Sequence, residues 1–122
     1  MTFSITHIQG SNIEVTDTLR TLVEQKFAKL GKFIGDRPDV TCDIELEKMT
    51  GSHSGNIFRA EVNIRVGGKL YRAEATTDQI EKSIDQMRNE VEREIRKAQS
   101  KEQTLVKRGG AMIKRMMRFG RD

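Results

Sequence analysis

Phe58-Arg-Ala-Glu-Val-Asn-Ile-Arg-Val66, Gly67-Gly68 and Lys69-Leu-Tyr-Arg-Ala-Glu-Ala-Thr76 form the stretch on which the fold turns. Phe58, Ala60, Val62, Ile64 and Val66 alternate with Arg59, Glu61, Asn63 and Arg65, the two-residue period of a strand with one buried face. The glycine pair makes a tight hairpin turn. Beyond it, Tyr71, Ala73 and Ala75 lie on the apolar side of a returning strand. Upstream, Val40, Cys42, Ile44 and Leu46 alternate with Thr41, Asp43, Glu45 and Glu47, and the polar run 50–56 joins the two stretches as a loop. Three successive strands, each apolar on one side only, need a cover for that side.

The cover is written on either flank. From Leu19 the apolar positions are Leu19, Leu22, Val23, Phe27, Leu30, Phe33 and Ile34, the spacing of an amphipathic helix. Thr16-Asp17 offers N-cap chemistry at its start, and Gly35 and Pro38 end it. A second helix opens at Thr77-Asp78 and runs to about Lys101, with Ile80, Ile84, Met87, Val91, Ile95 and Ala98 as its apolar stripe. Phe3 to Gln9 reads as a first strand with Phe3, Ile5 and His7 on one face, broken by Gly10-Ser11-Asn12. The order is β-α-β-β-β-α, an α+β domain with two helices packed on one face of a four-stranded mixed sheet. The first two strands, joined through a helix, can pair in parallel, and the other pairs are antiparallel. The open face carries mixed charges, including the acids of 43–47.

A chain of 122 residues suffices for one such domain. No stretch approaches the roughly 18 apolar residues of a membrane span, and Met1 to Thr6 shows no secretory pattern. Cys42 is the single cysteine, which suits a reducing compartment, so a cytoplasmic location is expected. The net charge of +4 is unevenly spread. Residues 105–122 carry six basic groups and Asp122, whereas residues 1–104 carry 16 basic against 17 acidic groups. The division expected is therefore a domain at 1–104 and a basic, flexible tail at 105–122.

Catalytic chemistry is not visible. His7 and His53 have no metal-ligand spacing to each other or to Cys42, and Cys42 falls on the apolar side of its strand, where an inert thiol is the ordinary outcome. Neither glycine pair, 67–68 or 109–110, belongs to a phosphate-cradling motif. An enzyme, a metal, a cofactor and a small-molecule substrate are all unexpected.

Two polar stripes carry the functional signal. On the second helix Lys82, Gln86, Asn89, Arg93, Arg96 and Lys97 cluster on one flank, and Glu81, Asp85 and Glu92 on the other. Such a row fits phosphate and sugar contacts, although a solvated helix face would look similar. On the first helix Lys26, Lys29 and Lys32 recur every three residues, and Lys26 falls within the apolar arc, where it must snorkel to reach water. Side by side on one sheet, the two stripes would form a cationic groove for a phosphate backbone. With five Phe, one Tyr and no Trp, mostly in core stripes, stacking on single-stranded bases is a poor mechanism. Folded, helical RNA read by shape fits better.

The segment Ile13-Glu-Val-Thr-Asp-Thr-Leu-Arg20, followed by Val23-Glu-Gln-Lys-Phe-Ala-Lys-Leu-Gly-Lys-Phe33, resembles the first-helix signature of the bacterial ribosome-associated inhibitor and hibernation-promoting factors. Asp78 to Lys97, with Ile84-Asp85 and Glu92-Arg93 ahead of a lysine, resembles their second helix, and the likeness covers residues 3–101. The resemblance implies the same β-α-β-β-β-α fold, similar to double-stranded-RNA-binding domains. It further implies binding at the decoding region of the small ribosomal subunit, over the A- and P-site tRNA positions and the mRNA path, so that translation is inhibited. The partners it implies are the small subunit and the whole ribosome through rRNA, with the protein monomeric off the ribosome and no membrane contact. The rRNA-binding residues carried over are Lys26, Lys29, Lys32, Lys82, Arg93 and Lys97, with Arg20 ranked below them; Arg96, from the basic stripe of the second helix, joins them as a candidate contact. Within that resemblance a short form is expected, without the C-terminal domain of long members.

The tail, with Lys107, Arg108, Lys114, Arg115 and Arg118 as candidate RNA contacts, lies outside the resemblance. It reads as an extension that orders on rRNA, as a membrane-surface or partner-binding helix, or as an unstructured segment with generic charge attraction. Two rival functions use the same sequence. One is a general double-stranded-RNA-binding or RNA-chaperone module working through the same groove. The other is a protein-interaction adaptor working through the acidic sheet face.

Overall fold

The computed structural model describes residues 3–34, 39–51 and 55–119, with side chains described as far as Lys101. The elements are β1 (His7–Ser11), α1 (Asp17–Ala28), α2 (Gly31–Ile34), β2 (Val40–Lys48), β3 (Phe58–Val66), β4 (Lys69–Thr77) and α3 (Ile80–Phe119). The strands form one sheet in the order β1-β2-β3-β4. β1 runs parallel to β2, and the other neighbours are antiparallel. This is the expected α+β architecture.

The alternation read in the sequence is the burial pattern of the sheet. Cys42, Ile44 and Leu46 of β2, Ala60, Val62 and Ile64 of β3, and Ala73 of β4 are buried. They meet Val23 and Phe27 of α1, Leu30, Ile34 of α2, and Ile84, Met87, Val91 and Ile95 of α3 in one core. The β3–β4 turn needs its glycine, because Gly67 has φ of +63°. Gly10 is fixed for a different reason. A Cβ there would stand 2.4 Å from the Ile13 carbonyl oxygen, so Gly10, read in the sequence as the break, is a position inside β1 with no room for a side chain.

Three elements depart from the sequence reading. First, the ladder of β1 begins at His7, not Phe3. The Thr6 hydroxyl accepts the Cys42 N–H at 2.9 Å, the place a backbone carbonyl would take, while Thr6 N–H donates to the Cys42 carbonyl at 2.8 Å. Phe3 and Ile5 still pack against the core, but His7 turns to the open face, opposite Asp43. Its Nδ1 lies 3.0 Å from the Asp43 carboxylate. Second, the single helix expected over 17–34 is two. Leu30 N–H bonds to the Phe27 carbonyl at 3.0 Å, a tighter i→i−3 step that ends α1. This brings Gly31 against Phe3, where a Cβ would lie 3.2 Å from the Phe3 Cβ. Gly35 and Pro38, read as the stop signal, lie outside the described residues. Third, the backbone of α3 does not end near Lys101 but continues through Gly109-Gly110 to Phe119. A glycine costs a helix about 1 kcal/mol relative to alanine, and no proline follows to remove a hydrogen bond.

The helix starts follow local chemistry. Thr16 caps α1, its Oγ1 accepting the Leu19 N–H at 3.1 Å. At the start of α3, buried Ser83 donates to the Phe58 carbonyl at 2.6 Å and accepts the Thr77 N–H at 3.1 Å. That one hydroxyl ties the first turn of α3 to the ends of β3 and β4.

Candidate nucleic-acid interface

Helices cover one side of the sheet, so the molecule has two unlike faces. The open sheet face holds Asp43, Glu45, Glu47, Glu61 and Glu74 among the basic residues Arg59, Arg65 and Arg72. Arg59 lies at its centre, with Nη1 3.1 Å from Glu45 and 3.5 Å from Glu47, and Nη2 3.1 Å from Glu61 and 2.7 Å from Glu74. Burial works against the Arg59 charge, but hydrogen bonds to Glu74 and Glu61, with their negative charges, more than offset it and hold its pKa above the usual arginine range. Arg72 pairs with Glu61 as well. The acids of this face are thus largely occupied by its own arginines.

The helix side carries the other candidates. A groove between α1 and α3 is lined by Leu22, Gln25, Lys26, Lys29, Asp85, Arg88 and Asn89. A second groove along α3 is lined by Asn89, Glu92, Arg93, Arg96, Lys97 and Ser100. Asn89 belongs to both, so the two run into one another. Among the expected residues, Lys26 and Lys29 therefore share one groove, and Arg93, Arg96 and Lys97 share its neighbour. Lys32 follows on α2, beside Phe33, whose ring lies 5.3 Å under the Arg96 guanidinium. Lys82 stands at the far end of α3, and Arg20 is exposed on α1; neither lines these grooves.

The juxtaposition differs from two cationic stripes laid side by side. The flank of α3 that meets α1 is the one bearing Asp85 and Glu92. Lys26, with its side chain 27% exposed, forms an ion pair with Asp85 across the seam. Arg88, not singled out in the sequence, holds the seam together. Its Nε donates to the Lys26 carbonyl at 2.9 Å, and its Nη1 reaches Glu92 at 2.6 Å and the Asn89 side-chain oxygen at 3.2 Å. The only sequence signal for it was its place at the edge of the apolar stripe, next to Met87. Gln99 donates to the Phe33 carbonyl, which fixes α2 to α3 in the same way.

The candidate cations therefore fall into two groups. Lys26 pairs with Asp85, Lys82 with Asp78 at 3.1 Å, and Arg96 with Glu92 at 3.7 Å. Among the described residues, no acid lies within ion-pair distance of Arg20, Lys29, Lys32, Arg93 or Lys97. The side chains of Lys107, Arg108, Lys114, Arg115 and Arg118 lie outside the described residues, as does His53.

Cys42 is fully buried. Burial, with the Asp43 charge adding to it, pushes the thiol up to about 12. It is a neutral core group at physiological pH. Among the described residues, no cluster of three or more His, Cys, Asp or Glu side chains could hold a metal ion, and no helix is long and apolar enough to cross a membrane.

Residues 6–103 match the family described as Sigma 54 modulation protein / S30EA ribosomal protein. Over 91 residues the chain is 36% identical to a ribosome hibernation promotion factor of Lactococcus lactis subsp. cremoris, covering 75% of this chain and 47% of that protein. A ribosome hibernation promotion factor of Staphylococcus aureus is 30% identical over 90 residues, 74% of this chain and 45% of its own. The chain thus spans about half the length of these curated relatives. The fold is similar to the N-terminal domain of Thermus thermophilus Protein Y, with a TM-score of 0.66 and 24% identity over 78% of this chain and 98% of that one. It is also similar to a ribosomal subunit interface protein from Coxiella burnetii, with a TM-score of 0.60 and 19% identity over 78% and 99%.

Proposed function

The chain belongs to the Sigma 54 modulation protein / S30EA ribosomal protein family, and from that premise we propose that it is a ribosome-binding hibernation factor. It binds the small subunit through rRNA at the decoding region, over the A- and P-site tRNA positions and the mRNA path, and so inhibits translation. It acts in the cytoplasm, as a monomer when off the ribosome, by binding and not by catalysis.

The observation that carries this reading is the two-faced charge layout. On the sheet face Arg59 and Arg72 are held among acids, whereas on the helix face Lys29, Lys32, Arg93 and Lys97 stand without an acid partner among the described residues. A phosphate backbone gains most from cations that give up nothing internal to meet it. Lys29 and Lys32 on one side of the seam and Arg93 and Lys97 on the other are the residues assigned the main rRNA contacts. Lys26, Lys82, Arg96 and Arg20 contribute less. Residues 1–104 are the ribosome-binding unit. Residues 105–122, with Lys107, Arg108, Lys114, Arg115 and Arg118, add charge toward the RNA.

Charge reversal tests the groove. Lys29→Glu combined with Arg93→Glu alters two exposed positions, the C-cap of α1 and a residue of α3, so the fold should survive, as circular dichroism would show. Comigration with small subunits should fall at least tenfold in apparent affinity, since two attractive phosphate contacts become repulsive. Undiminished comigration of the folded double variant would remove the groove assignment. A general double-stranded-RNA binder would use the same face, and stoichiometry separates the two: one copy per small subunit against many copies along any duplex.

A further inference from the structure

The seam between α1 and α3 places an acid where an RNA-binding groove would gain most from a cation. Asp85 pairs with Lys26, half of its side chain is exposed, and it lines the same groove as Lys29 and Asn89. Two neighbouring contacts keep this arrangement in place. The Lys26 carbonyl is held by Arg88 Nε, so the lysine backbone cannot shift away from α3. Arg88 itself is engaged by Glu92 and Asn89, so its charge is directed along α3 and not toward Asp85. Lys26 is therefore the cation that answers Asp85, and a phosphate entering the groove must compete for it.

We propose that Asp85 is an internal counter-charge that holds Lys26 back from phosphate and lowers the groove's charge-driven affinity for RNA at large. This deepens the RNA-binding reading of the same groove and rests on it. The physical consequence is selective. Binding to an arbitrary duplex depends almost wholly on phosphates neutralised by lysine and arginine. When Lys26 leaves for a phosphate, Asp85 is left facing the backbone and repels it. A surface that meets the protein through shape and several other contacts tolerates that loss. A plain duplex, which offers phosphates and little else, does not. Asp85 thus disfavours generic RNA more than the cognate site.

The alternative role for the pair is a staple between the helices. That role gives the opposite sign. If the ion pair mainly fixed α1 on α3, its removal would loosen the groove and weaken every RNA complex.

The test uses the full chain with a plain 20-base-pair RNA duplex and purified small ribosomal subunits, comparing wild type, Asp85→Asn, Lys26→Met and the double variant. An exposed or half-exposed ion pair is worth up to about 1 kcal/mol, which corresponds to roughly two- to fivefold in affinity. Asp85→Asn should tighten duplex binding by about that factor and steepen its dependence on salt, with a smaller gain on subunits. Lys26→Met should abolish that gain in the double variant, because the gain runs through the freed lysine. Unchanged or weaker duplex binding by folded Asp85→Asn overturns the inference, as does a gain that persists without Lys26. Wild-type protein that binds the duplex but not the subunits, with the Asp85→Asn gain intact, removes the ribosome assignment and leaves the counter-charge standing. Binding to neither removes both.

Discussion

Cys42 shows how a single position can be read from its neighbours. It alternates with Ile44 and Leu46, and the structure places it at the centre of the core, fully buried. Its thiol is pushed from 9.0 up to about 12 by burial and by Asp43. A group whose pKa is raised on folding contributes stability that is fully present below its unfolded value and lost above it. The Cys42 contribution is thus constant below about pH 9 and falls from there toward pH 12. Comparing wild type with Cys42→Ala by denaturant unfolding at pH 7, 9 and 11 isolates it. The stability difference between the two should shift in favour of the alanine variant only above pH 9, and native protein at pH 7 should resist thiol reagents. His7 is the opposite case. Alternation with Phe3 and Ile5 put it on the apolar side, but the Thr6 hydroxyl enters the ladder with Cys42, and the face flips by one residue. Nothing in a local pattern announces a side chain that substitutes for a backbone acceptor.

At the scale of elements, β2, β3 and β4 were legible because alternation and a glycine turn over-determine them, and the α1 start was legible because Thr16 has both the position and the hydroxyl of an N-cap. The break between α1 and α2 was not. There the Leu30 N–H turns to the Phe27 carbonyl, and Gly31 comes to lie against Phe3, a residue far away in sequence that no helical period reports. The flank of α3 that faces α1 was likewise undetermined, since one helix wheel does not state which of its sides a neighbour takes. That choice puts Asp85 and Glu92 at the seam and turns a uniformly cationic groove into a mixed one. The start of α3 depends on Ser83, whose hydroxyl joins the Thr77 N–H to the Phe58 carbonyl inside the core. Ser83→Ala should cost about 1–3 kcal/mol of unfolding free energy, because it takes the partner from the buried Thr77 N–H and from the partly buried Phe58 carbonyl. A loss below about 0.5 kcal/mol in urea unfolding would mean that neighbouring Thr77 takes over the bonds.

For the molecule as a whole, the decisive property is that one sheet separates two surfaces of different chemistry. The open surface is acidic in balance and pairs most of its acids internally, with Arg59 between Glu45, Glu47, Glu61 and Glu74. The helical surface keeps cations that have no internal partner among the described residues, on both sides of the α1–α3 seam. A net charge of +4 gives little hint of this, since the body and the 105–122 segment differ so sharply in composition. The family match ends at residue 103, so the groove lies inside it and the basic segment outside. On the proposed function, that layout puts binding in the body, and residues 105–122 are expected to add affinity through charge. The most direct measurement is sedimentation of purified small subunits with increasing amounts of the full chain and of the 1–104 truncation. Both should comigrate and saturate at one copy per subunit, the truncation with weaker affinity. Folded protein that stays at the top of the gradient in both forms, or loading that rises without saturating, would contradict the assignment of this chain as a ribosome hibernation factor.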